Sequence, residues 1–261
     1  MRKLLVICVL FGGCTVEKEP DNFEKLFSDK LEIIDLTHSL NDSSPFWPGG
    51  ESKNPFTYHI IAAQPSGASA LGSYSTVEHY GTHLDAPIHF TDNVASVDQL
   101  DPQSFFVPVA VIDVREKCQA NEDYRLAIED ITEWEGRNGT LPDGVVVLML
   151  TGWGDKWNDM EAYRNQDDDG KMHFPGFSVE VNTFLVNERN INGIGIDNLS
   201  IDYGLSSGFE AHAVTNGAGK YHLENVANMH LLPEAGAYLV VAPIKIEGGS
   251  GGQVRLFGIV P

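Results

Sequence analysis

Residues 78–90 read EHYGTHLDAPIHF and hold three of the nine histidines in a chain of 261 residues. His83 and Asp85 are two positions apart, so in an extended segment their side chains point to the same face. His79 lies four positions before His83, and His89 lies four positions after Asp85. A glycine and a proline within the stretch argue against one continuous helix. Converging imidazoles and a carboxylate suit zinc, manganese or iron, so the pattern predicts a divalent metal site.

The alternative is a set of unrelated histidines. At this composition an eleven-residue window would hold roughly 0.4 histidines, which disfavours that alternative. A second polar stretch, EAHAVTNGAGKYHLEN (210–225), could supply the missing ligands. Its candidates are His212, His222 and Glu224, and residue chemistry alone ranks them nearly equally, because the last two would share one face of a strand. Two clusters predict one or two divalent ions per chain, Zn²⁺ or Mn²⁺.

Short segments rich in β-branched residues, bounded by Gly, Pro, Asn or Asp, predict a chain built mainly of strands. Helical patterns occur at 127–137 and at 178–190, the second with a possible cap at Ser178. The glycine-rich run GGSGG (248–252) lacks the ending of a phosphate loop and indicates a flexible hairpin or a loop at the edge of a site. These patterns predict a mixed α/β domain. The segments expected to form strands are 31–37, 56–63, 107–114, 144–151, 193–197, 237–246 and 254–260.

The N-terminus reads MRKLLVICVLFGGC, in which two cations precede a short apolar run and small residues precede Cys14. This order is typical of a bacterial lipoprotein leader, and the run is too short to span a bilayer. We therefore expect a signal peptide at 1–13, lipidation of Cys14, a polar linker at 14–30 and one domain at 31–261. The mature protein would be exported and held at a membrane face, in the periplasm or at the cell surface.

The formal net charge is −20 at pH 7. Such an excess of acidic side chains repels nucleic acid and anionic lipid, so neither is expected as a partner. Membrane association is expected only through the lipid anchor at Cys14.

Residues 79–90, HYGTHLDAPIHF, resemble the signature H-x-G-T-H-x-D-A-P-x-H-F of the metal-dependent cyclase family, which includes bacterial kynurenine formamidases and isatin hydrolases. The resemblance extends over most of the chain beyond residue 30. Further similar segments lie at 35–50, 145–153, 174–178, 193–202 and 241–260.

The resemblance implies roles for particular residues. One metal would be held by His79, His83 and Asp85, and a second, where present, by Asp85, His212 and Glu224. His89 would be the acid–base residue, and His222 would have a supporting or packing role. Trp47 and Phe174 fall where the family has aromatic pocket walls, with ordinary core packing as the alternative for each.

The resemblance also implies an α/β fold of the swivelling β/β/α type with a barrel-like, largely antiparallel sheet, assembled as a homodimer or higher homo-oligomer. The implied activity is metal-dependent hydrolysis of the C–N bond of a small-molecule substrate, a cyclic or aromatic amide such as isatin. Three alternatives stay open: an arylformamidase acting on N-formylkynurenine, a non-hydrolytic metal-dependent cyclase or dehydratase, and a catalytically silent metal-binding lipoprotein. The presence of His89 argues against the last, because a pure metal binder needs no uncoordinated histidine there.

Overall fold

The computed structural model describes residues 31–48, 55–63 and 69–261. The expected leader and linker, residues 1–30, lie outside the described residues. In the part that is described, no helix combines the length and the apolar character needed to cross a membrane. The strands there are β1 (Glu32–Asp35), β2 (Thr57–Ala62), β3 (Leu71–Ser75), β4 (His83–Asp85), β5 (Phe106–Asp113), β6 (Arg125–Leu126), β7 (Val146–Leu150), β8 (Gly176–Phe177), β9 (Gly193–Ile196), β10 (Tyr221–Glu224), β11 (Tyr238–Pro243) and β12 (Gly251–Val260).

The α-helices are short and alternate with the middle strands of the chain. They are α1 (Arg115–Ala120), α2 (Ile128–Asn138), α3 (Met160–Arg164), α4 (Val179–Glu188) and α5 (Glu210–Gly217). The predicted cap of α4 is confirmed: the Ser178 hydroxyl accepts a hydrogen bond from the backbone nitrogen of Val181 at 3.1 Å. A cap of this kind stabilises a helix by about 1 kcal/mol.

Seven strands close into a barrel in the order β12, β11, β5, β7, β9, β10 and β4, and β4 pairs back to β12. The expected α/β class with a barrel-like sheet is confirmed. The sheet is mixed, however, because the pairs β5–β7, β7–β9 and β9–β10 are parallel. Parallel neighbours need long crossover connections, and helices α1 to α5 lie in these connections. The other four of the seven pairs are antiparallel, in keeping with the expected largely antiparallel sheet, and the three parallel pairs were not anticipated.

The barrel wall separates two apolar layers. Alternate side chains such as Val109, Leu148 and Leu223 belong to the buried cluster that fills the interior. Intervening side chains such as Val147 and Ile194 pack outside the barrel, in a cluster that includes residues of α2 and α4. The alternation follows from the two-residue period of a strand. It also determines which side chains of β4 and β10 point away from the apolar interior.

Candidate metal centre

Strands β4 and β10 form an antiparallel pair in which Asp85 lies opposite His222 and His83 lies opposite Glu224. Between these pairs, Leu84 and Leu223 face each other within the interior cluster. Because side chains alternate along a strand, the two histidines and two carboxylates point to the other side of the wall. The register therefore gathers polar residues from two distant parts of the sequence on one face.

Helix α5 adds His212 to this face. Nε2 of His83 lies 3.2 Å from Oδ1 of Asp85 and 3.4 Å from Oε2 of Glu224. Nε2 of His212 lies 3.4 Å from Oδ2 of Asp85 and 3.3 Å from Oε1 of Glu224. All four side chains are at least nine-tenths buried. Each carboxylate thus faces both imidazoles, in a space that water hardly reaches.

Hydrogen bonds to the far ring nitrogens fix how these histidines face the centre. Nδ1 of His83 donates to the carbonyl oxygen of Gly81 at 2.9 Å, which leaves Nε2 free to bind. Gly81 has φ +67°, and a Cβ there would lie 2.2 Å from the Leu40 side chain. Only glycine fits that backbone, so the glycine of the sequence motif is needed to aim His83.

His79 lies at the rim of the centre. Its Nδ1 is 2.6 Å from Oδ1 of Asp85, and its Nε2 is 2.9 Å from the Ser250 hydroxyl. That hydroxyl donates to Oε2 of Glu78 at 2.5 Å. A Cβ on Gly251 would lie 2.7 Å from the His79 ring. The glycine-rich run 248–252 therefore lies at the edge of the site, which is the second of the two alternatives given for it above. Its last two glycines belong to β12.

A divalent cation fits this donor set. Nε2 of His83 and Oδ2 of Asp85 are buried and have no hydrogen-bond partner in the described part of the chain, although buried polar atoms are normally paired. Burial opposes a charge on His83, but Asp85 and Glu224 outweigh it and raise the pKa of His83 to about 10. The two carboxylates thus demand a positive charge between them, which a metal ion would supply.

Two overlapping sets of side chains place their donor atoms within 4.8 Å of one another: His79, His83 and Asp85, and Asp85, His89 and His212. Asp85 belongs to both, in keeping with a carboxylate shared by two ions. The first set is the one that the sequence predicts. The second contains His89 in place of Glu224, so His89 is also close enough to be a ligand.

His89 ends the short 3₁₀ helix Pro87–His89 that follows β4. Its ring stacks on His79 with 3.8 Å between centroids. Burial lowers the pKa of His89 to about 4, which makes the ring neutral at pH 7. A neutral imidazole at the wall of the cavity can accept a proton.

A cavity of about 330 Å³ opens over the cluster. Trp47 lines it, whereas Phe174 has no exposed surface and is not among the lining residues. Phe174 packs edge-on behind Trp47, with 6.3 Å between centroids. The prediction that Phe174 forms a pocket wall is therefore corrected to core packing, the alternative left open by the sequence.

Four aromatic residues that line the cavity were missed from the sequence: Phe46, Tyr80, Phe90 and Phe209. The Phe209 ring lies 5.7 Å from Trp47 and 5.3 Å from Phe90, and both phenylalanines line the cavity. Phe90 stands in the histidine-rich stretch quoted first, so its place beside His89 was a usable signal. Phe209 has no such signal, because its position depends on a backbone φ of +50° at the start of α5.

A closed barrel with a buried cluster of imidazoles and carboxylates at the floor of a cavity is the arrangement of a metal-binding enzyme. A family model described as "Putative cyclase" matches residues 34–203. The chain is 32% identical to the isatin hydrolase of Roseibium aggregatum, covering 91% of this chain and 95% of that protein. It is 30% identical to the kynurenine formamidase of Bacillus cereus, covering 86% and 95%. The chain belongs to the cyclase family.

The solved structure of isatin hydrolase A from Ralstonia solanacearum superposes with a TM-score of 0.85 at 33% identity, covering 92% of this chain and 95% of that one. The barrel described above is therefore also the fold of a solved relative.

Proposed function

We propose that the protein hydrolyses the C–N bond of a small, uncharged cyclic aromatic amide, for which isatin is the model substrate. The observation that carries the proposal is the lining of the cavity. Aromatic rings, among them Trp47, Phe90 and Phe209, stand over the histidine and carboxylate cluster. Among the described lining residues there is no lysine and no arginine. This combination suits a flat, neutral ring presented to a metal.

A zinc or manganese ion would be held by His79, His83 and Asp85, and a second ion, where bound, by Asp85, His212 and Glu224. Such an ion supplies Lewis acidity, which activates water at neutral pH and polarises a carbonyl group.

The protein's own residues then position the substrate and move the proton. Trp47 and Phe209 would hold the aromatic ring, since tilted and stacked ring contacts favour flat substrates. The oxygen of water adds to the carbonyl carbon, and the C–N bond breaks. His89, neutral at pH 7, accepts the proton of the attacking water and passes it to the departing nitrogen. Hydrolysis thus needs no additional base.

The charge of the substrate separates the two activities found among the relatives. N-formylkynurenine carries an amino-acid group with one carboxylate and one ammonium, and burying either without a partner is unfavourable. The described lining offers no lysine or arginine for the carboxylate. Export, if the expected leader is correct, would also favour amides from outside the cell. Arylformamidase activity remains the second candidate because kynurenine formamidases are among the relatives.

The test compares kcat/KM for isatin and N-formylkynurenine, with the enzyme loaded with zinc and, separately, with manganese. We expect isatin to be preferred by roughly tenfold or more, because polar groups left unpaired in a site penalise the wrong substrate strongly. A preference for N-formylkynurenine with either metal would overturn the ranking. If neither is turned over by metal-loaded protein, the proposed class is wrong. Reaction in ¹⁸O-labelled water should place label in the product carboxylate, whereas a dehydration would release the substrate's own oxygen as water and leave the product unlabelled.

A further inference from the structure

His222 is fully buried and takes no part in the reaction proposed above. It stands in β10 directly opposite Asp85, and its Nδ1 lies 3.7 Å from Oδ2 of that carboxylate. Both of these atoms are buried, and neither has a hydrogen-bond partner among the described residues. Two unsatisfied polar atoms therefore face each other across the strand pair. A small shift of either side chain would bring them within hydrogen-bond distance.

The other ring nitrogen, Nε2, contacts the helix that carries His212. It meets the Thr215 hydroxyl and lies 3.4 Å from Nδ2 of Asn216. The orientation of the Asn216 amide follows from a second bond, since its Nδ2 also donates to the carbonyl oxygen of Lys220 at 3.0 Å. An amide nitrogen can only donate. The Thr215 hydroxyl, whose one proton also reaches the carbonyl oxygen of Ala211 at 2.9 Å, can turn it to Nε2, because that carbonyl oxygen accepts from Nδ2 of Asn182 as well. Nε2 is therefore the acceptor, and the ring proton belongs on Nδ1.

The opposite tautomer could donate from Nε2 to the Thr215 oxygen, but two other contacts oppose it. A proton on Nε2 would face the N–H of Asn216, and a lone pair on Nδ1 would face the oxygen of Asp85. A ring protonated at both nitrogens would likewise set a proton on Nε2 against the N–H of Asn216, so the geometry fits a single proton, on Nδ1. Leaving two buried acceptors unpaired costs more than any single bond that this tautomer gains.

We propose that His222 is a positioning residue whose Nδ1–H donates to Oδ2 of Asp85 and orients the carboxylate common to both candidate metal sets. Its Nε2 at the same time holds α5, and hence His212, in register with β4. His222 itself belongs to neither set of converging donors. This inference rests on the proposed metal-dependent function and adds the residue that aligns its shared ligand.

The test uses two amide replacements that each retain one side of the ring. In His222→Asn the amide nitrogen falls near the position of Nδ1, and in His222→Gln it falls near Nε2. Zn²⁺ affinity is measured by competition with a chelator, with thermal unfolding as the control for folding. We expect the Asn variant to stay within about threefold of wild type and the Gln variant to bind roughly 10- to 100-fold more weakly, the usual effect of losing a group that orients a metal ligand.

Three results would overturn the proposal. Equal losses in both variants would make His222 a packing residue. If Zn²⁺ affinity is retained in His222→Gln and lost in His222→Asn, the contact of Nε2 with Thr215 is the one that matters. Loss of one bound ion per chain in both variants would make it a ligand.

A second measurement needs no stable variant. Long-range ¹H–¹⁵N spectra of the Zn²⁺-loaded wild-type protein should show a protonated Nδ1 and an unprotonated Nε2 for His222. The reverse tautomer, or an Nδ1 bound to zinc, contradicts the assignment. Neither readout requires turnover. Zinc-loaded protein with this tautomer that does not hydrolyse amides would therefore refute the proposed function alone.

Discussion

Oδ2 of Asp202 lies 2.6 Å from Nδ1 of His212 and 3.1 Å from the backbone nitrogen of the same residue. One carboxylate oxygen thus binds both the ring and the main chain of the histidine. Burial opposes ionisation of Asp202, but the hydrogen bond and charge of His212 outweigh it and lower the pKa of Asp202. The ring is held with Nε2 towards Asp85 and Glu224.

Replacing Asp202 by Asn should weaken metal binding on the His212 side by roughly 10- to 100-fold, because the ring loses its charged orienting partner. Zn²⁺ titration measured calorimetrically would resolve the weaker ion from the ion near His83. Asp169→Asn, which removes the same charge from an exposed position, is the matched control. Equal affinities in the two variants would show that Asp202 does not orient His212.

Asp85→Ala should abolish binding of both ions, because this carboxylate is shared by the two candidate sets. Glu224→Gln should weaken only the second ion. Metal content after gel filtration, measured by elemental analysis, distinguishes these outcomes. Asp85→Ala protein with full metal content would refute the assignment of the ligands.

His89→Ala decides between the two roles open to this residue. If His89 transfers protons, the variant should keep its metal and lose roughly 10² to 10⁴ in kcat. Metal content and turnover are measured on the same preparation. Loss of metal together with activity would instead make His89 a ligand, as its distance to Asp85 and His212 permits.

Protonation of His38 should lower the free energy of unfolding of the protein in mild acid. Its ring stacks on Trp157 at 3.9 Å, and burial lowers the pKa of His38 from 6.5 to about 4. The unfolded state therefore binds the proton more readily, and stability present above pH 6.5 is lost as the pH falls towards 4. His38→Phe keeps the stack without the titration. Between pH 7 and pH 5 wild type should lose about 2 kcal/mol more unfolding free energy than this variant, measured in urea with metal held constant. Equal losses would contradict the prediction.

Cys14→Ser tests the expected lipid anchor. When expressed in a bacterium with its leader, the wild-type chain should partition with membranes, because a multiply acylated cysteine anchors stably. The variant should remain in the soluble fraction. If both forms are soluble, the leader has been misinterpreted.

The sequence predicted the main strands, the capped helix α4 and the cluster around His83 and Asp85, because each leaves a local pattern. The choice of His212 and Glu224 over His222 came from the family resemblance alone. His83 and Asp85 alternate on one strand, and Ser178 precedes a helical period. Helix α5 was not predicted, since its eight residues, EAHAVTNG, carry a polar stretch and a terminal glycine. Its position depends on Asp202, whose role is visible only once the chain is folded.

The aromatic cavity shows the same limit. Whether Trp47 or Phe174 faces the cavity depends on which ring packs over the other. The spacing of the two residues in the sequence does not indicate this. Phe209 lines the cavity because of its positive backbone φ. Ser250 reaches the site through a side-chain hydrogen bond with His79, which lies 171 positions earlier. Contacts of this kind are tertiary, so residue type alone could not have located them.

Strand β4 is three residues long, yet it joins β10 to β12 and closes the barrel. Two of those residues, His83 and Asp85, are also candidate metal ligands. Substitutions in this short strand would therefore disturb the closure of the barrel and the metal site together. In a surface loop, by contrast, activity can change without loss of stability. Directed evolution towards new substrates should accordingly leave β4 untouched and accumulate its changes around the aromatic rim.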